Sequence, residues 1–186
     1  MIEFDRKQIS PMLIGADGDA FDSPDYIYEL KWDGERCIAY LDPAGGTELR
    51  NKRNVKMLPK VPELSEMHKQ IRKRCILVGE CHAKNLWNVR KTGFQTLNYV
   101  HHGELMVMKD GKPDFYEIQK RSLTTNNFKI QLASKQYPAN FVAFDILFYD
   151  DKDLTLLPLT ERKQYLEKAI KTENARFALS RAIPEH

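Results

Sequence analysis

Cysteine is scarce: Cys37, Cys75 and Cys81 are the only three in 186 residues. An odd set of three cannot build a disulfide framework, so the fold must rest on its core, and such usage suits a reducing cytoplasm. Long apolar runs are also missing. No stretch approaches the roughly 20 residues of a membrane-spanning helix, and residues 1–10 are charged, with no apolar signal-peptide core. Neither sign of charge dominates. Twenty-nine Lys and Arg against 26 Asp and Glu leave a net charge of +3, which permits a nucleic-acid partner without arguing for one. There is no internal repeat of structural size and no low-complexity tract. What remains is 42% hydrophobic and 30% charged, a globular composition long enough for one domain with a sizeable core.

The chain is organised around Lys31-Trp32-Asp33-Gly34-Glu35-Arg36. An apolar run, Tyr26-Ile27-Tyr28-Glu29-Leu30, precedes it, and a second, Cys37-Ile38-Ala39-Tyr40-Leu41, follows. Asp-Gly between two such runs predicts a hairpin. Lys31 then stands at a strand end, where burial and a cation such as Arg36 would lower its pKa from about 10.4 and favour the neutral, nucleophilic amine. A salt-bridged surface lysine beside an ordinary turn has the same local pattern.

Residues 1–25, punctuated by Pro11, Gly15, Gly18 and Pro24, read as a lead-in strap. A turn at Asp42-Pro43-Ala44-Gly45-Gly46 leads into a short strand over 47–50. The basic run Arg50-Asn51-Lys52-Arg53-Asn54-Val55-Lys56 is a solvated strand end or a phosphate-facing edge. Leu64, Met67, His68 and Ile71 fall at helical spacing, predicting a helix over 62–74 with Pro62 in its first turn and basic residues at its end. His68 on that stripe reads as a core-edge histidine. Cys75-Ile76-Leu77-Val78 predicts a strand ending at Gly79-Glu80, and Leu105-Met106-Val107-Met108 another after Gly103-Glu104. Asp114 would cap a helix through Arg121, with a loop over 122–127 and a short helix over 131–136. Residues 141–149 form the most apolar run, read as a strand buried on both faces. Asp145 inside it must be paired or useful. Thr160 would cap a helix through Lys171, and one more strand begins near Arg176.

The hexapeptide resembles the Lys-x-Asp-Gly-x-Arg nucleophile motif of covalent nucleotidyltransferases. Gly103-Glu104-Leu105-Met106-Val107, with Gly111-Lys112-Pro113-Asp114-Phe115 after it, is similar to their Gly-Glu motif and its hairpin. The 141–149 run resembles their aromatic-Asp strand. The three stand in the family's order, and the details resemble the adenylation domain of bacterial ATP-dependent DNA ligases of the end-joining type. The resemblance implies an α+β domain, with mainly antiparallel sheets and flanking helices around a nucleotide pocket. It implies that Lys31 takes AMP from ATP, with Mg2+, and passes it to a 5′-phosphate at a nick in duplex DNA. Glu29 would meet the adenine edge, with Leu30 counted among the nucleotide-binding residues. Arg36 would contact ribose or phosphate, and Phe144 would stack on adenine unless it is plain core packing. Lys52 or Arg53 falls where the family places a phosphate- or sugar-contacting arginine.

Two departures stand out. The Gly-Glu pair occurs twice, so either Glu104 or Glu80 is the motif glutamate that contacts ribose or metal; the hairpin after Glu104 favours that copy. About two dozen residues, roughly 79–104, lie between the copies. Their interleaved Lys84, Arg90 and Lys91 with Trp87, Phe94 and Tyr99 suit single-strand binding, or a plain surface hairpin. Cys81, His82, His101 and His102 lack zinc-ligand spacing. The family's later Glu-Gly and Lys-x-Lys motifs and its oligonucleotide-binding-fold domain are expected to be missing, leaving a partial adenylation domain over 1–186. Rival readings are an RNA ligase or capping-type enzyme and a non-catalytic DNA- or partner-binding fragment. An open sheet edge would invite homodimerisation.

Overall fold

The computed structural model describes residues 3–11, 29, 34–83 and 115–181. Among them, six strands share one sheet: β1 (Glu35–Asp42), β2 (Gly46–Asn51), β3 (Cys75–Ala83), β4 (Ala139–Tyr149), β5 (Lys152–Asp153) and β6 (Phe177–Leu179). The order is β2-β1-β3-β4-β5, antiparallel throughout, with β6 joining β4 in parallel. The helices are α1 (Phe115–Leu123), α2 (Asn127–Gln136) and α3 (Leu159–Ala169). This is the expected α+β class with mainly antiparallel pairing. None of the described helices is long and apolar enough to cross a membrane.

The β1–β2 hairpin follows from local chemistry. Asp42 Oδ1 accepts from the Ala44 amide at 2.9 Å, closing an Asx turn, and Gly46 takes a φ of +101° that other residues rarely adopt. Successive side chains of a strand point to opposite faces. On β1, Cys37, Ala39 and Leu41 enter the larger core, while Ile38 and Tyr40 enter a second cluster behind the sheet. The larger core gathers Leu49, Leu64, Ile71, Leu77, Ile118, Phe141, Leu166 and Phe177. The second holds Phe4, Ile76, Val78 and Phe148, with Phe144 packed at its border. Phe4 stands edge-on to Tyr40 at 6.0 Å, and the Ile9 amide donates to the Tyr40 hydroxyl at 3.2 Å. Residues 3–11 therefore cover that second face.

Several local expectations are corrected. Instead of a helix over 62–74, there are two 3-10 turns, Pro62–Leu64 and Met67–Gln70, and Ile71 forms a β-bridge with Ile170. The Arg72 amide donates to the Ala169 carbonyl at 2.8 Å and the Lys171 amide to the Gln70 carbonyl at 2.7 Å. This long-range pairing competes with helix for the same backbone groups. Leu64, at the end of the first turn, and Met67, at the start of the second, are both buried, as the helical stripe required. His68 is indeed a core-edge histidine, its Nδ1 3.1 Å from Thr47 Oγ1.

β3 does not stop at Gly79-Glu80 but runs to Ala83, since β4 extends back to Ala139 and pairs with it along that length. The start of the segment between the Gly-Glu copies is therefore sheet. α1 continues to Leu123. Asn126 then caps α2, its Oδ1 accepting from the Lys129 amide at 3.0 Å, so that helix begins earlier than expected. α3 begins at Leu159 with Pro158 as N-cap, and Thr160 lies inside its first turn. The helix ends at Ala169 because Ile170 is drawn into its bridge. The 26–33 hairpin apart from Glu29, and the strand at 105–108, lie outside the described residues.

Candidate active site

The site is assembled where β1 begins. Gly34 is buried, and Arg36 is the second residue of the strand, paired across the ladder with Glu80 on β3. Lys31, Leu30 and Glu104 lie outside the described residues. Glu80 is placed by its backbone on a central strand, next to Gly79. Gly79 has no room for a side chain: a Cβ there would come within 2.4 Å of both Phe141 Cζ and the Val142 carbonyl.

β4 supplies the aromatic residue through an irregularity. Val78 pairs with Asp145 and Gly79 with Ala143, so Phe144 is an extra residue with no partner on β3. A bulge of this kind re-aims side chains. The Phe144 ring carries the Arg36 guanidinium 5.1 Å from its centroid, a cation–π contact. Arg36 and Phe144, 108 positions apart in the sequence, are thereby brought together.

α3 holds this bulge with two consecutive cations. Arg162 grips Asp145 in a fork, Nε to Oδ1 and Nη2 to Oδ2 at 2.8 Å each, and donates to the Leu157 carbonyl at 2.7 Å. The Asp145 hydrogen bonds hold the Arg162 pKa above its ordinary value. Asp145 is thus paired, the first of the two alternatives its position allowed. Lys163 Nζ lies 2.6 Å from both carboxylate oxygens of Glu29 and 2.6 Å from the Phe144 carbonyl.

A second network fixes the basic turn after β2. The Asn51 side-chain amide donates to Glu35 at 2.8 Å, and its carbonyl accepts from the amides of Arg53 and Val55 at 3.0 Å each. Ser122 Oγ on α1 also donates to Glu35. Lys52 and Arg53 are exposed on this turn, while Arg50 is engaged with Glu48 and Asn54. The turn is hydrogen-bonded through Asn51 and presents its two cations to solvent. Among the described residues, no three His, Cys, Asp or Glu side chains stand close enough to share a metal.

Glu29 and Arg36 thus both meet Phe144, Glu29 through Lys163 and Arg36 over the ring, whereas Lys52 and Arg53 stand on a separate turn. Lys163, Glu35, Asn51 and Ser122 were not among the expected residues. Asn51 has a sequence signal, since it brackets the basic run. Lys163 has none: it is one cation among several on α3, and its partner is 134 positions away.

The family model for an ATP dependent DNA ligase domain matches residues 14–184. DNA ligase C of Mycobacterium tuberculosis is 28% identical over 173 residues, covering 92% of this chain and 40% of that protein. The bifunctional non-homologous end joining protein LigD of Bacillus subtilis is 28% identical over 155 residues, covering 78% of this chain and 21% of LigD. Among solved structures, mycobacterial DNA ligase D complexed with ATP and MES superposes with a TM-score of 0.52 at 18% identity, over 85% of this chain and 40% of that one. The ligase domain of M. tuberculosis LigD gives 0.52 at 19% identity, over 84% and 39%. These superpositions are likenesses of fold. The chain spans about two-fifths or less of the length of these relatives.

Proposed function

The chain belongs to the ATP-dependent DNA ligase domain family, and from that premise we propose that it is the adenylating part of a ligase that seals nicks in DNA during repair. Lys31 is the nucleophile. Its neutral Nζ attacks the α-phosphorus of ATP, a P–N bond forms, the bond to the bridging oxygen breaks, and pyrophosphate leaves. The amine proton passes to solvent. The adenylate then goes to a 5′-phosphate at a nick, where a 3′-hydroxyl displaces AMP.

The observation that carries this reading is the convergence of Glu29, Arg36 and Phe144, joined through Lys163 and the Phe144 ring. An aromatic face offers stacking to a base, worth about 1–3 kcal/mol. A carboxylate offers an acceptor to an exocyclic amino group, and a guanidinium suits ribose or phosphate oxygens. Lys52 and Arg53, exposed on the turn after β2, would meet phosphate or sugar. Magnesium, when bound with the nucleotide, neutralises charge on the polyphosphate. Such ions are commonly held by one or two carboxylates together with phosphate oxygens, a role open to Glu80 or Glu104.

Intact-protein mass spectrometry before and after incubation with ATP and magnesium tests the proposal. The wild type gains the mass of one AMP and Lys31→Ala gains none. A wild type that stays unmodified, or a variant that is modified equally, overturns it.

A further inference from the structure

We infer that Lys163 is a positioning residue that sets the base selectivity of the site through Glu29. The inference rests on the adenylation reading above and deepens it. A lysine ammonium has three donors and no acceptor. Here three acceptors lie 2.6 Å from Nζ: the two oxygens of Glu29 and the carbonyl of Phe144. No donor is left for a nucleotide, so Lys163 acts through its partners.

Those partners are the two groups that would define a base pocket. The Phe144 carbonyl belongs to the bulged residue whose ring carries Arg36. The Glu29 carboxylate comes from the segment leading into Lys31. Lys163 therefore sets the distance between the ring on which a base would lie and the acceptor at the base's edge. It also compensates a carboxylate that is only 21% exposed, which would otherwise be free to turn toward solvent or other donors. An ionised carboxylate only accepts hydrogen bonds. It suits the 6-amino group of adenine and opposes the 6-oxo group of guanine. The neighbouring Arg162 is committed to Asp145 and Leu157, so it does not replace Lys163.

The test compares ATP and GTP as AMP or GMP donors in self-nucleotidylation by the full chain, as wild type, Lys163→Met, Lys163→Arg and Glu29→Gln. Lys163→Met keeps the apolar stem and should raise KM for ATP about tenfold or more, the scale of a charge-assisted hydrogen bond. The maximal rate should change little, and the preference for ATP over GTP should fall by a similar factor. Lys163→Arg restores the preference, and Glu29→Gln, whose amide can donate to a 6-oxo group, shifts it toward GTP. A Lys163→Met variant with unchanged preference, or one that loses maximal rate with KM intact, overturns the inference while leaving wild-type adenylation standing. A wild type that is not modified at all overturns the adenylation reading instead. Equilibrium binding of ATP and GTP then decides the inference: a wild-type preference for ATP that Lys163→Met abolishes supports it, and equal affinities in the wild type overturn it.

Discussion

Arg121, 2% exposed, forks onto Glu63, with Nη1 2.7 Å from Oε1 and Nη2 2.9 Å from Oε2. The remaining donors reach the carbonyls of Lys60 and Tyr137. Glu63 Oε1 also accepts from the Ala139 amide at 2.6 Å, at the first residue of β4. One ion pair thus joins α1, the first 3-10 turn and the strand that carries Phe144. Removing one partner of a buried pair leaves the other charge uncompensated. Arg121→Met should lower the unfolding free energy by about 3–5 kcal/mol, and adding Glu63→Gln should recover part of the loss. Urea denaturation measures both, and a loss below about 1 kcal/mol for the single variant would refute this account.

Gly79→Ala should be costly for a different reason. The added methyl meets the Val142 carbonyl and the Phe141 ring at 2.4 Å, and backbone cannot yield as a side-chain end can. Overpacking of this kind costs about 1–3 kcal/mol. Gly45→Ala meets only the Asp42 side chain, at 3.0 Å or more, so it should cost less. Paired thermal melts give the comparison; equal losses would show that β3 and β4 can separate freely at this point.

Phe144→Ala should weaken ATP use more than it weakens the fold. The ring is only partly buried at the border of the second cluster, whereas a lost stacking platform is worth about 1–3 kcal/mol. KM for ATP in self-adenylation should rise between about 5- and 150-fold, with Phe144→Tyr near wild type. An unchanged KM would return Phe144 to core packing alone.

Burial pushes the Cys75 thiol pKa well above its ordinary value, while in the unfolded chain a thiol titrates near about 8.5. The group with the raised folded pKa contributes stability that is complete below about pH 8.5 and is lost as pH rises above it. The slope should approach about 1.4 kcal/mol per pH unit. Denaturant unfolding between about pH 7.5 and 10, under reducing conditions, should show a steeper decline for wild type than for Cys75→Ala. Parallel profiles would contradict the assignment. Burial raises the Tyr40 pKa too, and its effect begins near pH 10, where a phenol in the unfolded chain titrates.

Much of this molecule was legible from its residues because the signals were local. The Asp42–Gly46 turn is written in the chemistry of four or five neighbouring positions, and β4 in an apolar run, interrupted only by Asp145, with residues of both faces in the two core clusters. The 62–74 segment reads as a helix because Leu64, Met67 and Ile71 sit at helical spacing, and all three are buried in the two-turn arrangement as well. The choice between helix and turns fell to the Ile71–Ile170 bridge, which no local window contains. The end of β3 was misplaced for a related reason: Gly79 looks like a stop until Ala139–Val142 arrive to pair beyond it.

The sequence by itself determined the family resemblance, because the Lys31–Arg36 motif is a run of adjacent residues that can be read without knowing what packs against it. It also determined that Asp145, inside an apolar run, had to be paired or useful, since an isolated buried carboxylate is untenable. Only the tertiary structure decided which partner, Arg162, and that the next residue, Lys163, would close on Glu29 from 134 positions away. The bulge that aims Phe144 arises where the β3–β4 register shifts between Val78 and Gly79. Register is a property of two strands together, and neither sequence segment contains it.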